Sequence, residues 1–446
     1  MSDETAIREA AARVAAAGES SPRAGRDPVN LPLIRNWIEA IGDDSPCYTD
    51  GGLAPPAMIQ VWTMPGRRGA RTDDDPLGLM TEALDALGYT SVVATNCDQV
   101  YLRYLRHGEE LAVRANLVDV VGPKRTSLGE GWFVTTRSTW YSGDEPVATM
   151  DFRILKFRPR PAPPPQAPDG DGGPGSQVMR PQVTQDTAFF WAGTAVRELR
   201  IQKCAKCGAL RHPPGPMCPA CGTPADGGYA VASGAGTVYS YVVHRHPRIP
   251  GKTLPLVVAL VELPEGVRIL GELRGVTPER VTIGMPVRAA FDRVDDDLTL
   301  PAWRPAPPGE PLPELVIRAT PTFVISGALA TRDFQDVHHD RDLAVARGSK
   351  DIFVNILTTT GLVQRFVAAW AGPGAVFKSI SIRLGAPCYA GDTLTFSGHA
   401  VRADDDDEDE DAGDGDGDWL VTVRGECGLG DHVTGTVRVA RDGRQP

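Results

Sequence analysis

The spacing of apolar and polar residues follows the same order in two parts of the chain. Each part has a polar loop, then an apolar stretch with helical spacing, then runs in which apolar and polar residues alternate. In the first part a helix is expected at residues 54–62, where prolines suit a first helical turn. The alternating runs predict strands at 89–94, 96–103, 110–121, 129–141 and 147–157.

The last part of the chain repeats this order with a longer helix. Residues 353–371 carry apolar side chains on more than one helical side, which predicts a buried helix. Strands are predicted at 376–384, 393–401, 419–427 and 433–439. Sheets combined with one apolar helix in each part indicate the α+β fold class.

Two proline-rich segments, 159–175 and 304–313, separate these parts from a middle one. Proline lacks a backbone N–H and suits extended spacers better than central strands or helix interiors. The predicted domains are therefore 1–158, 176–303 and 314–446.

Composition excludes some classes of protein. The chain of 446 residues is long enough for about three domains. Since nothing approaches ~18 consecutive apolar residues, no membrane partner is expected. The N-terminus lacks the basic start and apolar core of a signal peptide. Half of the eight cysteines are scattered singly, so a reducing, cytoplasmic location is expected.

The net charge of −11 comes from one segment. Residues 404–418 hold eleven acidic and no basic residues, so the rest of the chain is balanced. A run of this kind repels itself and cannot bury apolar surface. It predicts a solvated loop inserted between two strands.

Four cysteines, Cys204, Cys207, Cys218 and Cys221, form two Cys-x2-Cys pairs in the middle part. Four thiolates at this spacing suit tetrahedral zinc and leave no open position, which indicates a structural ion. A redox-active pair is the alternative, but two pairs this close favour metal. His212, between the pairs, is expected to be a surface residue and not a ligand.

Short strands with Gly and Pro turns follow the cysteines and predict a small OB-like β-barrel; they lie at 236–243, 254–263, 268–273 and 286–294. OB barrels that bind nucleic acid need a basic groove with stacking aromatics. The segment has no dense arginine cluster, so no nucleic-acid partner is expected. An aromatic helix before the cysteines carries Phe189, Phe190 and Trp191, which either pack on the barrel or dock onto a partner.

An Asp and a His stand five residues apart in the last part, as Asp333 and His338, with Asp340 two residues further on. A carboxylate and an imidazole on one loop can supply the base and the acid that hydration of an enoyl thioester needs. Chance pairing in a polar loop is the alternative. A second copy of the spacing near the N-terminus argues against chance: Asp43 matches the first Asp, and Asp50 matches the last.

In that N-terminal copy Tyr48 stands where the His is expected. A phenol, with a reference pKa near ~10, is a poor base at neutral pH. This copy is predicted to keep the loop and to lack the chemistry. The alternative is that residues 42–50 are only a turn-rich loop.

The motif around Asp333 resembles that of the MaoC-like (R-specific enoyl-CoA hydratase) hot-dog proteins. The resemblance implies two hot-dog domains flanking a zinc ribbon and a barrel, with a CoA thioester as the substrate. It implies a catalytic pair, Asp333 and His338. It also implies a thioester oxygen bound by backbone N–H groups near Val354 and Asn355, where the usual His-Gly pair is replaced. The N-terminal half is expected to hold the acyl group, since the lost His frees space.

The order of domains resembles a fusion of the two subunits of the actinobacterial steroid side-chain 17(20)-enoyl-CoA hydratase. This resemblance implies a hydro-lyase of steroid degradation. It also implies a thiolase-like aldolase recruited by the middle domain, and a homo-oligomer is expected. The alternatives are a fatty or short-chain enoyl-CoA hydratase, a hot-dog thioesterase and a non-enzymatic acyl-CoA-binding scaffold. The scaffold is disfavoured because the last part retains both Asp333 and His338.

Overall fold

The computed structural model describes residues 2–49, 52–69, 71–126, 128–159, 180–295, 297–306, 309–403 and 417–441. The chain divides into two compact units, one of Met1–Ala162 with Pro308–Pro446, the other of Pro163–Pro307. In the described residues no helix is long and apolar enough to cross a membrane.

The N-terminal half of the first unit contains four helices and five strands among the described residues. The helices are α1 (Asp3–Ala16), α2 (Leu31–Ile41), α3 (Pro46–Thr49) and α4 (Pro76–Ala86). The strands are β1 (Arg23–Ala24), β2 (Ser91–Tyr101), β3 (Leu111–Arg125), β4 (Gly129–Ser142) and β5 (Glu145–Pro159). The two strands predicted at 89–94 and 96–103 form one strand, β2, with a bulge between Ala94 and Asn96 where the alternation breaks.

The helix predicted at residues 54–62 is wrong. The structure has two single-turn 3-10 helices there, Pro56–Met58 and Val61–Thr63. Pro55 and Pro56 have no N–H to donate, and the N–H of Ala57 is donated to the side chain of Gln364. A long-range side chain therefore takes the place of a helical hydrogen bond.

The second unit is a zinc-ribbon-like sheet followed by a closed barrel. Its helix is α5 (Ala188–Ala195), and its first strands are β6 (Arg200–Lys203), β7 (Leu210–Arg211) and β8 (Tyr229–Val231). The barrel consists of β9 (Ala235–His244), β10 (Leu256–Glu262), β11 (Arg268–Leu273), β12 (Pro286–Arg293) and β13 (Thr299–Pro305). Its closed order is β10-β11-β13-β12-β9, so β13, which was not predicted, closes it.

The aromatic helix packs within its own unit. Phe190 is buried in the core of the second unit, and Phe189 and Trp191 pack partly buried against that core. His212, expected at the surface, lies with its ring 5.2 Å from that of Phe190. Burial lowers the pKa of His212 to about 4. The surface expectation is met only in part, because the imidazole is half-buried beside an aromatic ring.

The C-terminal half contains the longest helix. Its helices are α6 (Pro321–Ala330), α7 (Arg341–Ala346) and α8 (Ile356–Ala371). Its strands are β14 (Glu310–Pro311), β15 (Leu315–Arg318), β16 (Val376–Leu384), β17 (Thr393–Arg402), β18 (Trp419–Cys427) and β19 (Gly430–Ala440). Helix α8 begins three residues later than predicted, because Asn355 caps it by accepting the N–H of Thr358.

The second proline-rich segment, predicted as a spacer, and the acidic run, predicted as a solvated loop, are both partly structured. Residues at both ends of the second proline-rich segment lie in strands, since β13 ends at Pro305 and β14 pairs with β17. Proline is tolerated at Pro311 because β14 is an edge strand that can leave N–H positions unused, whereas Pro305 is the last residue of β13. Asp418, at the end of the acidic run, is buried between Lys378 and Arg438. Residues 404–416, like the first proline-rich segment from 160 to 175, lie outside the described residues.

One antiparallel sheet joins the two halves. It has eleven strands and is continuous through the pairing of β2 with β16. On the helical side, α8 packs closely against α2. A side chain at Gly361 would place its Cβ 2.6 Å from the indole of Trp37. The two halves therefore share one hydrophobic core.

The two halves are copies of one local structure. Asn30 caps α2 by accepting the N–H of Leu33, and Thr320 caps α6 by accepting the N–H of Phe323. At the other end the N–H of Asp43 is donated to the Ile38 carbonyl, and that of Asp333 to the Ala328 carbonyl. Corresponding residues differ by 290 in number. Asp43 and Asp333 therefore lie at corresponding positions, just after the ends of α2 and α6.

Candidate active site

The end of α6 places Asp333 inside the protein. Arg332 has a left-handed backbone with φ 57°, which reverses the chain after the helix. The N–H of Asp333 then bonds to the Ala328 carbonyl over 3.0 Å. The carboxylate that results is only 5% exposed.

His338 lies in a short 3-10 turn, Asp336–His338, beside that carboxylate. Its Nδ1 lies 2.9 Å from the carbonyl oxygen of Phe353. A carbonyl can only accept, so Nδ1 carries the hydrogen and the neutral ring has its lone pair on Nε2. Nε2 lies 3.6 Å from Oδ2 of Asp333. This distance is too long for a direct hydrogen bond, and the two atoms can share one donor, such as a water molecule.

Asn355 connects the carboxylate to the beginning of α8. Its Nδ2 donates to Oδ2 of Asp333 over 3.1 Å and to the hydroxyl of Thr331 over 2.8 Å. That hydroxyl in turn donates to the Gly327 carbonyl in α6. The sequence predicted Asn355 through its backbone; the role of its side chain, and that of Thr331, was missed.

Of the two backbone N–H groups predicted to bind the thioester oxygen, one is already bonded within the protein. Val354 donates its N–H to the Cys388 carbonyl over 3.0 Å and is therefore not free to bind a ligand. Asn355 precedes the first turn of α8, whose N–H groups have no acceptor within the helix. The positive end of the helix dipole favours negative charge at this position.

A buried histidine, His432, contacts the first turn of α8. The Nδ1 of His432 lies 2.9 Å from the Ala386 carbonyl, and its Nε2 lies 2.9 Å from the hydroxyl of Thr359. Thr359 also lies within hydrogen-bonding distance, 3.0 Å, of the Asn355 carbonyl. Burial lowers the pKa of His432, so its ring is held neutral.

The N-terminal copy has the same backbone with different side chains. Asp43 is 5% exposed and accepts the N–H of Ser45, while its Oδ2 has no partner among the described residues. Burial raises the pKa of Asp43. Tyr48 is 3% exposed and accepts a hydrogen bond from Gln364 of α8 over 3.3 Å. The space that the lost His was expected to free is filled here.

Gln364 closes this copy further. Its Oε1 accepts the N–H of Ala57 over 2.9 Å, in the first of the two 3-10 turns of the N-terminal half. Burial raises the pKa of Tyr48 well above its usual range, so its hydroxyl stays protonated. The last motif position, Asp50, lies outside the described residues. Its counterpart Asp340 caps α7 by accepting the N–H of Leu343.

The four cysteines of the second unit lie together. Their sulfur atoms are all within 4.8 Å of one another, with 3.7 Å between Cys204 and Cys221 and 3.6 Å between Cys207 and Cys218. A tetrahedral zinc site with bonds of about 2.3 Å separates its sulfurs by roughly 3.8 Å. The observed spacing therefore fits a structural zinc ion.

The backbone has the same conformation directly after each of the two cysteine pairs. Gly208 and Gly222, each directly after a pair, have left-handed φ of 74° and 66°. Their N–H groups bond to the Cys204 and Cys218 carbonyls. A residue with a side chain would be strained at both positions.

Three family models match the chain. The model for a FAS1-like dehydratase domain region matches residues 15–150. Models for the rubredoxin-like zinc ribbon and the C-terminal OB-fold domain of ChsH2 match residues 191–226 and 229–292. The zinc ribbon and the OB-like barrel predicted from sequence are confirmed.

Characterised relatives match the chain over most of their own length. The 3-oxo-4,17-pregnadiene-20-carboxyl-CoA hydratase alpha subunit of Mycobacterium tuberculosis is 53% identical over 311 residues, 67% of this chain and 97% of the relative. The beta subunit of that hydratase is 58% identical over 134 residues, 30% of this chain and 94% of the relative. These shares are those expected of a chain that joins both subunits.

A third relative covers a shorter region. A DUF35 domain-containing scaffold protein of Methanocaldococcus jannaschii is 41% identical over 96 residues, 21% of this chain and 68% of the relative.

Proposed function

The chain belongs to the family of the alpha and beta hydratase subunits described above, and from this premise we propose the substrate and the roles of its residues. The protein is an enoyl-CoA hydratase, a hydro-lyase. Its proposed substrate is a steroid side-chain thioester of CoA with a double bond between C17 and C20. Addition of water gives the 17-hydroxy thioester.

The proposed reaction uses the pair Asp333 and His338. A water molecule lies between Oδ2 of Asp333 and the unprotonated Nε2 of His338, whose 3.6 Å separation is the observation that carries the mechanism. The pair removes one proton as the water oxygen bonds to C17. The electrons of the double bond move into the thioester as an enolate, and the pair returns one proton to C20.

The thioester oxygen becomes negatively charged in the enolate. The N–H of Asn355, at the positive end of α8, is the proposed donor to that oxygen. Val354 is excluded from this role because its N–H is already bonded to Cys388. Thr331 and the side chain of Asn355 hold Asp333 in place and do not touch the substrate.

The N-terminal half is proposed to hold the acyl group. Between the motif loop and the first long strand, the C-terminal half has a helix of 16 residues, whereas the N-terminal half has two turns of 3 residues and the 11-residue helix α4. A shortened helix leaves a steroid ring system more room than a full helix does. The proposed acyl-binding role therefore rests on the difference in helix length between the halves. It no longer rests on space freed by the missing histidine, because Tyr48 fills that position.

The second unit is proposed to dock a thiolase-like aldolase. The product carries its hydroxyl on a tertiary carbon, so it cannot be oxidised to a ketone, and cleavage of the C17–C20 bond by a retro-aldol reaction is the chemistry open to it. The relation of this region to a scaffold protein supports the docking role. Zinc, bound by the four cysteines, is proposed to hold the ribbon in shape.

The outer face of the barrel is the proposed docking surface. Val242 of β9 and Leu270 of β11 are 62% and 64% exposed. Between them Val258 and Leu260 of β10 point outward, in register with Val242 and Leu270. An apolar face of this kind on a barrel favours a protein partner.

Mass spectrometry tests the proposed reaction. The purified protein is incubated with a steroid 17(20)-enoyl-CoA and, in parallel, with crotonyl-CoA. Gain of one water on the steroid thioester alone is expected. Gain on crotonyl-CoA alone would keep the reaction and reject the steroid, while free CoA without hydrated product would indicate a thioesterase.

Matched variants test the residues. Asp333→Asn is expected to lower kcat by about 100- to 10,000-fold, the usual contribution of an acid–base group. Asp43→Asn, the same change at the matching position of the other half, is expected to leave kcat unchanged. Equal activity of the two variants would refute the assignment.

Co-purification tests the docking surface. A Val242→Glu/Leu270→Glu variant is expected to lose the aldolase and to keep hydration, because two charges would have to be buried in the interface. Ile283→Glu alters a residue of the same unit that is 72% exposed and lies outside this face. Retention of the aldolase by the double variant would reject the surface.

A further inference from the structure

A buried chain of hydrogen bonds connects β19 to the first turn of α8. His432 of β19 and Thr359 of that turn are at most 2% exposed. The Nε2 of His432 lies 2.9 Å from the Thr359 hydroxyl, and the same hydroxyl lies 3.0 Å from the Asn355 carbonyl. Since a hydroxyl carries one hydrogen, it can donate to only one of these two atoms.

The other ring nitrogen fixes the direction of the bond. Nδ1 of His432 lies 2.9 Å from the Ala386 carbonyl, which can only accept, so Nδ1 carries a hydrogen. Because burial lowers the pKa of His432, the ring is neutral and Nε2 has a lone pair. The Thr359 hydroxyl therefore donates to Nε2. The Asn355 carbonyl retains the backbone N–H of Thr359 as its donor, over 3.0 Å.

These bonds hold the proposed oxyanion donor, the N–H of Asn355, on both sides. Before it, the N–H of Val354 is bonded to the Cys388 carbonyl. Cys388 lies two residues after Ala386, to which the ring of His432 donates. After it, the same ring accepts the hydroxyl of the first helical turn. The imidazole is thus the link between the two segments that enclose this peptide N–H.

The N-terminal half, which lacks the catalytic histidine, also lacks this ring. The last hairpin of each half, β18–β19 and β4–β5, turns through two residues between its last paired positions. Counted from these turns, His432 corresponds to Val147, which is fully buried as well. Because valine has no polar side-chain atom, it fills the space without making either bond. The imidazole stands in the half that retains Asp333 and His338.

We propose that His432 is a positioning residue for the hydration: by accepting from Thr359 and donating to Ala386, its ring aims the N–H of Asn355 at the thioester oxygen. The inference rests on the proposed function, because that oxygen belongs to the proposed substrate. Without the ring, the Thr359 hydroxyl turns to the Asn355 carbonyl, and a threonine bond of this kind bends a helix. The oxyanion develops only during the reaction, so a misaimed donor lowers kcat more than it raises KM.

Variants of the full chain test this link. His432→Asn keeps an amide nitrogen for Ala386 but is too short to reach Thr359, whereas His432→Gln carries an amide oxygen far enough to accept from it. Thr359→Val removes the hydroxyl. The control is Thr360→Val, because the buried Thr360 hydroxyl donates to the Ile356 carbonyl over 2.8 Å and does not touch His432. Thermal unfolding is measured for each variant, together with kcat and KM for the steroid 17(20)-enoyl-CoA.

His432→Asn and Thr359→Val are each expected to lower kcat about tenfold, less than the loss of an oxyanion donor costs, with KM little changed. Their combination is no slower than either alone, because both break the same bond. His432→Gln keeps most of the kcat, and Thr360→Val loses stability but not kcat. Losses that multiply in the combined variant, or an equal loss of kcat in Thr360→Val, would overturn the proposal.

Nitrogen NMR of the protein with isotope-labelled histidine tests the bond without the reaction. The His432 signals, identified by their absence in either His432 variant, are expected to show a neutral ring with its hydrogen on Nδ1. The Nε2 signal is expected to shift in Thr359→Val and to stay in place in Thr360→Val. A hydrogen on Nε2, or no shift in Thr359→Val, rejects the positioning role and leaves the hydratase standing. If the unaltered protein hydrates no enoyl thioester, the proposed function is rejected, while the expected NMR result still supports the link from His432 to α8.

Discussion

The side-chain nitrogen of Asn355 lies 3.1 Å from Oδ2 of Asp333. The oxygen of the same amide accepts the N–H of Thr358 over 2.8 Å and so caps α8. One side chain therefore fixes the carboxylate relative to the helix end that is proposed to bind the thioester oxygen. Acid–base chemistry and oxyanion binding depend on the same residue for their alignment.

Replacement of Asn355 separates the two roles. Asn355→Ala is expected to lower the free energy of unfolding by about 1 kcal/mol through loss of the cap, and kcat by about 10- to 100-fold through misplacement of Asp333. Asn355→Asp keeps a capping oxygen but sets a second carboxylate against Asp333, so stability recovers more than kcat does. Denaturant unfolding and initial rates measure the two effects.

The control for this pair of variants is another helix cap. Thr320→Ala removes the cap of α6, 3.1 Å from the N–H of Phe323, and does not touch Asp333. It is expected to cost similar stability with little change in kcat. A comparable loss of kcat in Thr320→Ala would mean that Asn355 acts only through stability.

The residues that sequence reasoning found are those whose partners are near in sequence. Asp333 and His338 share one short loop, and the four cysteines are two close pairs, so spacing alone was sufficient to group them. Thr331 and Gln364 were missed because their partners are distant in sequence. Gln364 is a polar residue on an otherwise apolar helix face; since buried polar groups need partners, that position alone was a sign of a long-range contact.

Strand boundaries followed the alternation well, as in Val376–Leu384 and Arg268–Leu273. The errors arose where tertiary contacts replace local hydrogen bonds. Ala57 lies in a segment with helical spacing, yet its N–H bonds to a side chain of the other half. Pairing of β2 with β16 likewise depends on two segments that are far apart in the chain.

Restoring a histidine at position 48 is expected not to restore a second active site. In an Asp333→Asn background, Tyr48→His places an imidazole five residues after Asp43, as in the working motif. Gln364 still occupies the N–H of Ala57, and residues Pro56–Met58 still form a 3-10 turn of 3 residues instead of the start of a helix like α8. Hydration, followed by mass spectrometry, is expected to stay at the level of Asp333→Asn. Recovery of more than about tenfold would show that the missing imidazole was the sole defect.

Loss of one zinc ligand is expected to affect the second unit selectively. Cys207→Ser removes a thiolate from a site that needs four, so the zinc content falls well below one ion per chain and the unit unfolds at a lower temperature. Metal analysis and thermal unfolding measure this. Cys47→Ser serves as the control, since Cys47 lies in the first unit and donates its thiol to the Pro373 carbonyl. Full zinc content in Cys207→Ser would contradict a four-cysteine site.

Asp43 is expected to make stability depend on pH. Burial, the largest cause, raises the pKa of its carboxyl in the folded protein. The carboxyl therefore favours folding when it is protonated, below the pKa of the unfolded chain near ~3.9. That contribution is lost as the pH rises through the folded pKa, above which a buried charge opposes folding.

Asp43→Asn removes the charge and is expected to raise the unfolding temperature at pH 7, with the gain shrinking as the pH approaches 4. Asp44→Asn, which alters the exposed neighbour, is expected to show no such trend. A gain for Asp43→Asn that stays constant from pH 4 to pH 8 would show that the carboxyl has the same pKa in the folded and unfolded chains.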